Sequence, residues 1–116
     1  MLRRPMVERR NDHALIYKIV SAEEWRVAEG AGVFDGSAVD RRDGFIHFST
    51  ASQVAETARR HFADQADLLL VAVRTADLEL RWEPSRGGAL FPHLYGALPL
   101  RAVVDVRPFD PGIALP

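Results

Sequence analysis

The chain has 116 residues, a formal net charge of −1, 47% apolar and 27% charged residues, and no cysteine. These values describe one ordinary globular domain rather than a disordered chain, and the missing cysteine excludes disulfides, thiolate zinc sites, iron–sulfur clusters and a cysteine nucleophile. No apolar run nears the ~20 residues that span a bilayer, the longest being Leu68 to Val73, and a net charge of −1 sets up no field that would draw in a polyanion.

Residues 1–13 read as a frayed tail. The four arginines among the first ten residues have no apolar stretch behind them, so they are not a signal peptide, and with Glu8 among them and no aromatic residue they make a poor nucleic-acid arm. The expectations are a cytoplasmic protein, a small-molecule ligand rather than nucleic acid or membrane as partner, and one domain over residues 14–110. Oligomeric state is open.

Ala14 to Val20 is rich in β-formers and predicts a first strand that carries Lys18, the sole lysine. Ser21 opens a helix through the capping box Ser21-Ala22-Glu23-Glu24, and Gly30 or Gly32 stops it. Phe34 to Asp43 shows no period and reads as loop. Phe45 to Ser49 predicts a second strand, after which Thr50 caps a second helix with Gln53 in the capping-box position. Leu68 to Arg74 is apolar almost throughout, as befits a central strand covered on both faces. Leu78 to Glu83 alternates and predicts a strand, Pro84 to Gly88 a loop, His93 to Tyr95 a short extended piece and Leu100 to Val106 a last strand. Two early helices followed by several strands make an α+β pattern, and no Gly-x-Gly-x-x-Gly turn or P-loop is present.

Chemistry concentrates in two segments, Gly44 to Thr50 and Phe91 to Gly96. Side chains alternate along a strand, so Phe45, His47 and Ser49 share a face while Ile46 and Phe48 turn to the core. His47 and Ser49 then border a cleft, with Thr50 at a helix N-terminus where an anion is favoured. By the same logic His93 and Tyr95 share a face, and Pro92 and Gly96 fix the backbone around them. Glu83, just before the glycine-rich loop, is the best-placed carboxylate to orient a histidine or serve as a general base. The ligand-binding candidates are therefore His47, Ser49, Thr50 and Tyr95, and the catalytic candidates His93 and Glu83. Asp43 and Arg86 are weaker loop candidates. His61, near a helix end, reads as structural. No local histidine pair anchors a metal, and none is expected. A Ser–His–Asp hydrolase lacks its Gly-x-Ser-x-Gly elbow.

Ile16 to Ile19, the Gly44 to Thr50 strand-to-helix motif with Gln53, the Trp82-Glu83 pair and Phe91 to Gly96 together resemble a bacterial domain-of-unknown-function family, number 952. The resemblance runs from about Ala14 to Phe109. It implies a fold similar to that of ADP-ribosyltransferases, with two N-terminal helices packed on a split set of mostly antiparallel strands and NAD held in the cleft between two small sheets. It also implies that His47, Ser49 and Thr50 border the nicotinamide pocket, and that the catalytic residue stands near His93. The sequence departs from that pattern at Tyr17 and Lys18, where arginine or histidine usually grips NAD, and in Pro92 to Gly96, which contains no glutamate. The expected function is binding of NAD or a related phosphorylated nucleotide in a cleft lined by His47 and His93, with transferase chemistry as its extension. The alternative is a non-catalytic small-ligand or protein-interaction module with structural histidines.

Overall fold

A computed structural model describes residues 13–112, so the expected tail, apart from His13, lies outside the described residues. Its elements are β1 (Leu15–Ser21), α1 (Ala22–Ala31), β2 (Val33–Phe34), α2 (Ala38–Asp43), β3 (Ile46–His47), α3 (Val54–His61), β4 (Leu68–Arg74), β5 (Leu80–Pro84), β6 (Leu90–Leu94), β7 (Leu98–Pro99) and β8 (Val103–Phe109). Every strand pairing is antiparallel. The strands form the sheets β1-β4-β8 and β3-β6-β5, with β2-β7 as a two-stranded ribbon. Among the described residues no helix is long and apolar enough to cross a membrane.

The strongest local signals decide the first half. Ser21 caps α1 as a reciprocal box with Glu24, and Gly32 ends the helix at φ 83°. β4 runs from Leu68 to Arg74 as the sequence predicts and lies in the middle of its sheet. Its Val71 and Val73 meet Ile16, Val20, Trp25, Phe34, Ile46, Phe48, Leu94 and Leu98 in the main core. A smaller cluster of Ile19, Val54, Ala58 and Leu68 fastens α3 to the other face of β1 and β4.

Two expectations are corrected here. Phe34 to Asp43 is not a plain loop: it holds β2 and the six-residue helix α2, which makes three helices in the described residues rather than two. α2 is too short to show a hydrophobic period, and its stability comes from its ends. The Ser37 N–H donates to Asp40 Oδ2 at 2.9 Å, and Gly44, at φ 90°, donates its N–H back to the Asp40 carbonyl. The second correction concerns Thr50. Helix α3 begins only at Val54 with Gln53 as its cap residue, because residues 51–53 form a turn in which Gln53 Oε1 accepts the Thr50 N–H at 3.0 Å. The Thr50 hydroxyl is spent on Ser52, 3.3 Å away, so Thr50 is a buried turn residue rather than a helix cap.

The two large sheets meet along one short segment. β3 pairs with β6, and the Phe48 N–H continues this contact to the Pro92 carbonyl. One residue on, Ser49 leaves that sheet and exchanges both backbone hydrogen bonds with Tyr17 of β1, each 2.8 Å. Residues 46–49 are thus the hinge line from which the sheets diverge. His13 stacks near Trp82, with 5.2 Å between ring centroids.

Gly36 precedes α2 at φ +105°, and a Cβ there would come within 2.8 Å of the Asp40 Cβ. Gly36→Ala therefore combines left-handed strain with a clash against a buried side chain, and we expect a loss of about 2 kcal/mol in urea unfolding. Gly30→Ala, in a helix with open space at that position, serves as the neutral or stabilising control.

Candidate functional site

Antiparallel pairing places directly opposed residues on the same side of a sheet. In β3-β6-β5 the register aligns Ile46, Leu94 and Leu80 across one row and His47, His93 and Arg81 across the next. The first row supplies the core: Ile46 and Leu94 are buried and Leu80 packs against them. The second row therefore lies on the opposite face. His47 and His93 are cross-strand neighbours whose rings meet edge to face at 5.4 Å. Phe45, in phase with His47, stacks on His93 at 4.1 Å and lies 4.6 Å from His47 and 5.1 Å from Tyr95.

Each imidazole is held by carboxylates from a different element. His47 Nδ1 is 2.7 Å from Asp40 Oδ1, and its Nε2 is 3.0 Å from Asp43 Oδ2. Both acids come from α2. His93 Nδ1 is 2.7 Å from Glu83 Oε1, and Tyr95 donates its hydroxyl to the same carboxylate at 2.8 Å. The Arg81 guanidinium lies 4.7 Å above the Tyr95 ring, within cation–π range.

Behind His47 lies the most deeply buried ion pair of the described residues. Asp40 is 1% exposed and Lys18 7%. Lys18 Nζ reaches the two Asp40 oxygens at 3.0 and 2.8 Å, and the backbone N–H groups of Ser37 and His47 donate to the same carboxylate. Lys18 stands in phase with Ile16 and Val20, on the strand face that builds the main core. Burial alone would raise the Asp40 carboxyl, but the His47 hydrogen bond, the Lys18 charge and the Ser37 N–H together hold it well below the usual carboxylate range. Burial pulls the Lys18 amine below the ordinary lysine range, with Asp40 acting against that shift. The Glu83 carboxyl is lowered first by its bond from His93 and then by Tyr95, and that same bond to Glu83 raises the Tyr95 phenol.

A cleft of about 600 Å³ opens between the sheets. Its walls include Tyr17 and Lys18 from β1, Thr57 and His61 from α3, Arg42 and Asp43 from α2, and His47, Ser49, Phe91 and His93. Sequence-predicted candidates thus divide into two groups. His47, Ser49 and His93 line the cleft, Ser49 with its hydroxyl 3.1 Å from that of Thr57. Thr50 is buried and lines no part of it, while Glu83 and Tyr95 support His93 from outside the wall. His61, read from sequence as structural, stands in the wall itself. Among the described residues no three His, Asp or Glu side chains converge in a geometry that would hold a metal ion.

Sequence reasoning missed Asp40, whose partner Lys18 is 22 positions away. Two signals pointed to it: the Ser37-x-x-Asp40 spacing that marks a helix start, and a lone lysine in register with core isoleucine and valine.

The family model for "Protein of unknown function (DUF952)" matches residues 19–106. The chain is similar to the protein CC0527 from Caulobacter crescentus. The crystal structure of CC0527 is 51% identical, covers 83% of this chain and 86% of its own and superposes with a TM-score of 0.80. The solution structure of the same protein is 50% identical, with 84% and 85% covered and a TM-score of 0.73. No curated protein matches. The chain belongs to the DUF952 family.

The Asp40 arrangement has an acid signature. A carboxyl lowered in the folded state adds stability that is complete above its unfolded value of about 4 and is lost as pH falls from there toward the folded value. Urea midpoints should therefore fall below about pH 4, Asp43 and Glu83 adding smaller, solvent-screened contributions of the same sign. Asp40→Asn strands a buried ammonium, so at pH 7 it should lose about 3 kcal/mol and show a flatter acid limb.

Proposed function

We propose that this member of the DUF952 family binds a phosphorylated nucleotide of NAD type in the cleft between its two large sheets. The observation that carries the reading is the cross-strand pair His47 and His93, both in the cleft wall and both oriented by carboxylates. The cleft volume falls within the ~300–1,000 Å³ of small-molecule sites. Its lining suits the parts of such a ligand. Tyr17 and Phe91 offer aromatic surface to a flat ring, Ser49 and Thr57 offer hydroxyls to a ribose, and Arg42 and His61 offer donors to phosphate.

Glu83 fixes His93 through Nδ1, which leaves Nε2 as the nitrogen for proton transfer at the ligand. The roles follow the template of a base oriented by a carboxylate. In transfer of ADP-ribose, His93 would take the proton of the attacking hydroxyl as the bond from ribose to nicotinamide breaks. This placement rests on the site itself and not on the fold. Lys18 is committed to Asp40, so β1 contributes no cation to the ligand. That duty passes to α2 and α3.

A second reading, a binding module without catalysis, is favoured by His47, which spends both ring nitrogens on carboxylates. Isothermal titration with NAD and ADP-ribose separates the outcomes. The enzymatic reading expects binding tighter than about 1 mM, a loss of about tenfold or more in His93→Gln at a temperature where the variant is fully folded, and slow release of nicotinamide by the wild-type chain. Binding with no turnover leaves the module. A structural histidine would instead lower stability by about 1–3 kcal/mol in His93→Ala, and absence of binding at millimolar nucleotide would sink both ligand readings.

A further inference from the structure

The carboxylate of Asp43 joins two nitrogen-bearing side chains of the cleft wall. Its Oδ1 accepts from Arg42 Nε at 3.0 Å, and its Oδ2 lies 3.0 Å from His47 Nε2. All three residues line the cleft. We propose that Arg42 and His47 form a phosphoryl-binding subsite and that Asp43 fills it as an internal substitute, to be displaced by the phosphate of the ligand. The proposal rests on the nucleotide reading for the choice of ligand, but its geometry stands on α2 and β3 alone.

Chemistry is the first reason. Lys18 and Asp40 cancel one another in the core. His47 faces carboxylate oxygens at both nitrogens. Arg42 Nε and His47 Nε2 converge on the single Asp43 carboxylate from two sides, and a phosphoryl group, with three acceptor oxygens, can meet both and keep an oxygen for a further donor.

Geometry is the second. Asp40 grips Nδ1 from the core side and fixes the ring, so Nε2 is presented at the cleft at a set position. Arginine next to it adds a planar fork suited to phosphate oxygens. Cost is the third. The Arg42 side chain is 71% exposed and that of Asp43 32%, and ion pairs in such surroundings hold weakly. Asp43 is the last residue of α2, followed by Gly44 at φ 90°. Its side chain can swing away without disturbing Asp40, one turn earlier and locked in the core. The substitute is easily moved and the socket is rigid.

Titration calorimetry of the full chain with inorganic pyrophosphate, and separately with ADP-ribose, tests this. Asp43→Asn should tighten pyrophosphate binding by roughly fivefold, the gain expected from freeing an exposed ion pair. Arg42→Ala in the Asp43→Asn background should abolish that gain, and since Arg42 is exposed the double variant should fold as the single one does. Unchanged or weaker pyrophosphate binding in Asp43→Asn would overturn the proposal, as would a gain that survives Arg42→Ala. Tighter pyrophosphate binding without any affinity for ADP-ribose would keep the subsite and remove the nucleotide reading. ADP-ribose binding that Asp43→Asn leaves untouched would do the reverse.

Discussion

The site depends on a carboxylate that has almost no contact with water. Asp40 accepts from the Lys18 ammonium, from the His47 ring and from two backbone N–H groups. A buried ionised acid is costly unless its oxygens are satisfied in this way. The same carboxylate performs three tasks at once: it closes the first turn of α2, it neutralises a lysine in the core face of β1, and it aims an imidazole at the cleft. Core, helix and site are therefore energetically one unit, and a change in any of its three partners is felt by the other two.

The two histidines occupy equivalent ladder positions but have different surroundings. His47 is enclosed by acids at both nitrogens. His93 has one acid, Glu83, steadied by Tyr95. Phe45 lies against both rings. The two rings thus differ in how many carboxylates hold them and in which elements those carboxylates come from.

What the sequence made legible was local. Ser21 and Glu24 are three residues apart and meet within one turn, and Leu68 to Arg74 carries its own apolar run, so α1 and β4 could be read directly. Period-two alternation likewise put His47 and Ser49 on the face away from Ile46 and Phe48. What resisted reading was long-range. α2 owes its existence to end contacts rather than to periodicity, and Asp40 acquires its importance from Lys18 in a strand three elements earlier. Thr50 misled because the Thr-x-x-Gln spacing forms half of a capping box, whereas the chain used it to make a turn before the helix. The register that sets His47 directly opposite His93 could not be read, since no local pattern fixes pairing between segments so far apart.

Because the imidazoles stand opposite each other on a hydrogen-bonded ladder, their separation is set by strand spacing. Residues 85–89, between β5 and β6, lie beyond the paired strands and could gain or lose length without moving either ring. A single residue inserted between Phe45 and Ser49 is another matter. It would turn the polar row inward and the aliphatic row outward together, and so erase the pocket and the packed interior in one step.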